Sequence, residues 1–390
     1  MTAKPFDYTD LFRPDLPPAA VKWTGFPKYN FVGGHNDAGS VPVEDLAAAA
    51  DTVLKREGRT LSTYGLESGP LGYRPLREFI ARKLAIDAGI TCTIDEILIT
   101  SGSLQGLDLV NQVLLSSGDT VIVEQMTYGG AITRLQRLGV NIVGVEVDDD
   151  GLSSAALKTA LADLKRRGIR PKYIYTIPTV QNPTATVMSK QRRTEILGLS
   201  EEYGVPVFED ECYADLVWQG ARPQAMRGMS NDDGVIHIGS FSKSIAPALR
   251  IGYLVAGWPV MSRVLAIKSD GGSGAVEQMI LGILSGPFRG ACAHIEENPE
   301  TQARCDDRIA ARAIRRSGRI RRSRRRDFSL GEVAGPSRHN APDATRAAIR
   351  RIGQSWRRMD DRCRRRTETD PAVFRPPLRA SDPRRRRQAG

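Results

Sequence analysis

Lys243 stands in the stretch "SFSKSIAPALRIGY", residues 240–253, with hydroxyls at Ser240 and Ser242 before it and a guanidinium at Arg250 seven residues on. Two hydroxyls and an arginine fork suit a phosphate dianion. A lysine amine with a lowered pKa beside such an anchor forms a Schiff base with a carbonyl compound. The turn "SGSLQ" (101–105) offers a second phosphate holder, because Gly102, Ser103 and Leu104 open a helix whose first N–H groups lack partners. A phosphorylated aldehyde that bonds lysine is pyridoxal 5′-phosphate. Its ring nitrogen needs a carboxylate to stay protonated, and Asp210, ending "VPVFED", is placed for that. Tyr213 and Asn182 offer a phenol and an amide to the ring's 3-oxygen, and Tyr128 offers a flat face for stacking. Each residue also has an ordinary use: Ser-Gly-Ser as a helix cap, Asp210 or Glu211 as an N-cap, Tyr128 as a loop aromatic, Asn182 before Pro183 as a turn residue, Lys243 as a surface charge. Their joint occurrence, each after a strand-like run, favours the cofactor.

Those runs are "EILIT" (96–100), "TVIVE" (120–124), "NIVGVEV" (141–147), "KYIYTIP" (172–178), "VPVFED" (205–210), "VIHIGS" (235–240) and "RIGYLVA" (250–256). Between them, sets such as Leu104-Leu107-Val110-Leu114 and Leu157-Leu161-Leu164 keep helical spacing. This alternation predicts an α/β fold with a mostly parallel sheet of about seven strands, covered by helices on both faces. Ligands of such sheets bind outside the carboxyl ends of the strands. The loops 101–105, 125–130, 179–184, 209–213 and 240–243 are therefore expected to converge on one edge. No GxxxxGK[ST] or GxGxxG motif competes for the phosphate.

The 390 residues carry a formal charge of +11, and its location decides its meaning. Residues 1–285 hold 28 Lys and Arg against 32 Asp and Glu; residues 286–390 hold 28 Arg, no Lys and 13 acidic residues. A selected polybasic arm normally mixes both cations, whereas GC-rich codons read out of frame give Arg, Pro, Ala and Gly. A changed reading frame beginning near 284–294 is the expectation, with a nucleic-acid-binding arm as the rival. Five separated cysteines (Cys92, Cys212, Cys292, Cys305, Cys363) show no CxxC spacing, so neither a zinc site nor a disulfide framework is expected. With no leader-like segment and no run of about 18 apolar residues, a cytoplasmic chain without membrane contact is expected.

The set "SGSLQ", "TYGG", "QNPT", "EDECYADL" and "SFSKSIAPALRIGY" resembles the fold-type-I pyridoxal-phosphate enzymes of the class I/II aminotransferase family, nearest its aminoadipate- and kynurenine-aminotransferase-like branch. The resemblance runs from about Tyr29 to Leu284. It implies that Lys243 is the Schiff-base lysine and Asp210 the ring-nitrogen partner, with Asn182 and Tyr213 at the 3-oxygen and Tyr128 stacked on the ring. Gly102, Ser103, Leu104, Ser240, Ser242 and Arg250 match the phosphate cup. Tyr64 matches a tyrosine that reaches the neighbouring subunit's phosphate, which implies a homodimer. Gly34, in "FVGGHND", and Asn182 match contacts to the substrate. The implied reaction moves an amino group from an L-amino acid to a 2-oxo acid. Residues 1–60 then form an N-terminal arm and small-domain segment, 61–284 the cofactor domain, and 285–390 an arginine-rich segment in place of the family's C-terminal small domain. That segment lacks the family's PxGG strand start and carboxylate-gripping arginine, so impaired activity is expected. A lyase or decarboxylase on the same fold is an alternative. Another is a non-catalytic regulator with a basic tail, although the stretch before "FVGGHND" is too short for a helix-turn-helix domain.

Overall fold

All seven β-branched runs become strands, and the helical stretches fall between them. In chain order the elements are α1 (Val43–Glu57), α2 (Arg74–Ala88), β1 (Ile97–Ser101), α3 (Ser103–Leu114), β2 (Thr120–Glu124), α4 (Gly129–Arg137), β3 (Asn141–Val145), β4 (Val147–Asp148), β5 (Gly151–Leu152), α5 (Ser154–Arg166), β6 (Ile174–Thr176), α6 (Lys190–Tyr203), β7 (Val207–Asp210), α7 (Met226–Met229), β8 (Val235–Ser240), β9 (Ile251–Val255), α8 (Trp258–Ile267) and α9 (Ala275–Leu284). This computed structural model describes residues 6–13, 16–30, 33–217, 221–230 and 233–284, all within the first of two units, Met1–Leu330. The arginine-rich segment and the expected change of frame lie outside the described residues.

Seven strands form one sheet in the order β1-β9-β8-β7-β6-β2-β3, and β4 and β5 make a separate antiparallel pair. Within the large sheet β9 runs antiparallel to both neighbours, while β8, β7, β6, β2 and β3 are mutually parallel. The reversal of β9 leaves β1 running the same way as β8. The carboxyl ends of β1, β2, β6, β7 and β8 therefore share an edge with the amino end of β9. Pairing of Ser101 with Ile251 and of Ser240 with Gly252 fixes this alignment, which brings Arg250 to the same edge as both serines.

Side chains alternate between two buried faces. From β1, Leu98 joins a cluster with Leu107 and Val110 of α3 and Met261 and Val264 of α8. Ile97 and Ile99 join the opposite cluster, with Leu76, Ile80 and Leu84 of α2 and Met279 and Leu281 of α9, and Val53 of α1 packs there too. Leu157, Leu161 and Leu164 of α5 and Ile196 of α6 cover Ile122, Ile174 and Val207. Burial on both faces explains why the strands read as continuous apolar runs. At β9 the packing leaves no room for a side chain: a Cβ on Gly252 would lie 2.6 Å from the Ser103 nitrogen.

The loop from residue 178 to 188, which carries Asn182, is clamped at its neck by Arg193 of α6. Arg193 is wholly buried. Its Nε donates to the Met188 carbonyl (3.1 Å), Nη2 to the Pro178 carbonyl (3.0 Å) and Thr179 Oγ1 (2.8 Å), and Nη1 to the Gln224 carbonyl (3.2 Å) and Glu211 Oε1 (3.4 Å). All five donors of the guanidinium are used. Removing the cation leaves Glu209, 3.8 Å away, and Glu211 without this buried partner. Arg193→Met is expected to lower stability by about 3–5 kcal/mol in denaturant unfolding; a loss below about 1 kcal/mol would show that the clamp carries little of the fold.

Candidate active site

The Lys243 amine projects from the loop after β8 into the shared edge. Its Nζ donates to the carbonyls of Gly34 (2.7 Å) and Gly33 (3.3 Å) and lies 5.9 Å from the centre of the Tyr213 ring. Gly33 and Gly34 have φ of 100° and 54°, backbone that favours glycine, and a Cβ on Gly34 would sit 3.2 Å from the amine. Burial lowers the Lys243 pKa from the ordinary lysine value; the Cys212 thiol opposes this, and the Arg250 cation adds to it.

Asp210 ends β7 and is buried. Its Oδ2 accepts from the Tyr175 hydroxyl at 2.7 Å and its Oδ1 from the Cys212 N–H at 3.2 Å. Burial raises its pKa, and both donors oppose the shift by stabilising the anion. Three residues on, the Tyr213 hydroxyl accepts from Asn182 Nδ2 at 3.0 Å, which leaves the phenol's own proton free to be donated. Burial pushes Tyr213 up to about 12, so that proton stays in place through neutral pH. Tyr128 precedes α4 and folds back so tightly that a Cβ on Gly130 would lie 2.5 Å from its Cζ. Burial raises its pKa, with contributions of opposite sign from Arg250 and Asp210.

Helix N–H groups and a guanidinium meet at the β1–α3 turn. Gly102 has φ 72°, and Ser103 and Leu104 are the first residues of α3. The missing Cβ of Gly102 makes space for the Arg250 guanidinium, whose Nη2 donates to the Ser101 carbonyl (3.1 Å) and Nη1 to the Pro247 carbonyl (3.2 Å). Ser240 Oγ accepts from the Ser242 N–H at 3.1 Å. Of the predicted site residues, Tyr64 makes no contact with the others: it is 93% exposed, with its ring beside Gly271.

The fold also brings in residues that the motifs did not single out. Tyr175 supports Asp210, and its hydroxyl, on a wholly buried strand, signalled the need for a polar partner. Cys212 lies between Asp210 and Ser103, with its thiol pKa pushed well up by burial. Glu124 ends β2, fully buried, and burial pushes its carboxyl up to about 7 against the donors that surround it. Among the described residues no His, Cys, Asp and Glu group could hold a metal ion, and no helix is long and apolar enough to cross a membrane.

Residues 30–308 match the model of the aminotransferase class I and II family. The chain belongs to this family. Its match extends past Leu284, where the composition changes. The chain is 36% identical over 211 residues to an uncharacterized HTH-type transcriptional regulator of Bacillus subtilis, covering 54% of the chain and 42% of the regulator. It is 34% identical over 242 residues to the 2-aminoadipate transaminase of Thermus thermophilus, covering 61% and 57%. The solved α-aminoadipate aminotransferase of Thermus thermophilus, complexed with N-(5′-phosphopyridoxyl)-L-leucine, is 32% identical with a TM-score of 0.60, covering 66% of the chain and 64% of that structure. The chain spans about half the length of the curated relatives it matches. The mostly parallel seven-stranded sheet expected from the sequence is the fold-type-I architecture of this family.

A lowered pKa means that more of Lys243 is neutral at neutral pH than of an ordinary lysine. Mild reductive alkylation with an aldehyde, read by peptide mass spectrometry, is expected to label Lys243 ahead of the exposed Lys158. Arg250→Gln removes a neighbouring cation, raises the Lys243 pKa and narrows that lead. Equal labelling of both lysines in the unaltered protein would contradict the electrostatics of this pocket.

Proposed function

We propose that the chain binds pyridoxal 5′-phosphate and moves an amino group from an L-amino acid to a 2-oxo acid. The observation that carries this reading is the meeting of a primary amine, a buried carboxylate and an amide-bound phenol at one sheet edge, beside an anion cradle made by Gly102 and Arg250. The donor set fits the cofactor group by group. Bound pyridoxal phosphate supplies an electron sink for the pair left when the amino acid's Cα–H bond breaks.

The protein's own residues do the rest. Lys243 Nζ would hold the cofactor through its aldehyde and would carry the Cα proton as base and then acid; its lowered pKa keeps a useful fraction neutral. The Asp210 carboxylate holds a proton on the ring nitrogen, and that cationic partner favours the ionised carboxylate over the neutral form that burial promotes. Tyr213 donates to the ring's 3-oxygen while Asn182 orients the phenol. Tyr128 supplies the stacking face. Gly102, Ser103, Leu104, Ser240, Ser242 and Arg250 hold the phosphate. Gly34, whose carbonyl accepts from Lys243, and Asn182 line the side from which substrate enters. Tyr64, exposed on this protomer, completes the phosphate site of a second copy, so the working unit is a homodimer with residues 61–284 as its cofactor domain.

Titration with pyridoxal phosphate is expected to produce a visible absorbance band that Lys243→Ala abolishes, and a single amino acid added without oxo acid is expected to discharge it. A band that no amino acid discharges would make this a cofactor-binding chain that does not transfer amino groups. Asp210→Asn is expected to keep the band and slow the discharge by about 10²–10³-fold in stopped-flow absorbance, as for loss of one preorganised electrostatic group.

A further inference from the structure

Gln181 immediately precedes Asn182 and is 2% exposed. Every hydrogen-bonding place on its amide is used. Nε2 donates to Glu124 Oε2 (2.9 Å) and the Met126 carbonyl (2.5 Å), and Oε1 accepts from the Thr184 N–H and hydroxyl, both at 2.8 Å. Carboxylate and carbonyl oxygens only accept, so the NH₂ group must face them and the amide has one orientation. The backbone is held as well, with the Gln181 N–H donating to the Thr186 carbonyl (2.9 Å) and the Ala185 N–H to the Gln181 carbonyl (2.6 Å).

Glu124 provides the anchor. Its Oε1 accepts from the Thr176 hydroxyl (2.6 Å) and the Ile177 N–H (3.2 Å), and its Oε2 also meets the Thr127 hydroxyl at 3.4 Å. One glutamine thus ties the strand end that leads to Tyr128 to the loop that carries Asn182. With side chain and backbone both held, the course of the loop at Asn182 is set, and Asn182 Nδ2 reaches the Tyr213 hydroxyl.

We propose that Gln181, oriented by the buried Glu124 carboxylate, is a positioning residue that holds Asn182 against Tyr213 and so sets the hydrogen bonding at the 3-oxygen of bound pyridoxal phosphate. This rests on the cofactor reading above. Gln181 acts only through its neighbour. In Glu124→Gln the amide oxygen stays with the Ile177 N–H, which turns the new NH₂ toward the NH₂ of Gln181. Two donors then face each other. Relief by flipping Gln181 strips partners from the Met126 carbonyl and the Thr184 N–H, which is costly for buried groups.

The test has one arm without cofactor and one with it. Hydrogen exchange of the peptide spanning 179–187 in the chain alone is expected to quicken by about tenfold or more in Glu124→Gln and in Gln181→Met. In the protein reconstituted with pyridoxal phosphate, both variants are expected to move the midpoint pH of the visible band by roughly one unit. In an Asn182→Ala background the same substitutions should move it little further, because the group they act through is gone. Unchanged exchange in both single variants, or shifts that add in full to that of Asn182→Ala, would overturn the proposal. If Gln181→Met fails to fold, Glu124→Gln carries both arms. Absence of any visible band in the unaltered protein would instead count against the cofactor reading, while the exchange arm still decides whether Gln181 orders the loop.

Discussion

Asp210 carries a carboxylate to the end of a strand that lies in the middle of the sheet, flanked by β6 and β8, where it is buried. A buried carboxylate without partners is expensive. Tyr175 from β6 and the Cys212 N–H reduce that cost by hydrogen bonding, yet burial still holds the pKa above the ordinary aspartate value. The group is therefore poised for a cation to arrive. Most of the site follows from this placement: Tyr213 comes three residues later on the same loop, and Lys243 leaves the adjacent strand end with its amine above the Tyr213 ring.

Preorganisation is built beneath the pocket as much as within it. The residues facing the open edge sit on loops, and loops have little order of their own. Here they are held by saturated polar groups that never reach the pocket. Arg193 closes the neck of the Asn182 loop and ties it to Glu211, the residue after Asp210. Glu124 joins the end of β2 to the start of β6's following loop. Such a buried network is rigid when every member is satisfied, and losing one member leaves the others unpaired.

Much of the fold was legible because its signals are local. The seven strands of the large sheet could be read from β-branched runs, since a sheet covered on both faces needs continuous apolar stretches. The lysine stretch, the Ser-Gly-Ser turn and the Asn-Pro turn were equally legible, because each packs its chemistry into a few consecutive residues. Tyr175, Gln181, Glu124 and Arg193 were not. In a sequence they are an aromatic in a strand, a glutamine in a turn and charges that look solvated, and only their partners give them a purpose.

The sequence alone determined the strand–helix alternation and singled out an amine, a carboxylate and a phenol that the fold brings to one sheet edge. The tertiary structure decided which way β9 runs, and hence that Arg250 reaches the edge shared by Ser101 and Ser240. It also decided that Lys243 meets Gly34, 209 residues away, and that Gln181 meets Glu124, 57 residues away. The reason is physical: periodicity and capping act within a few turns of chain, whereas a buried hydrogen bond between distant residues exists only once strand order and register have brought donor to acceptor.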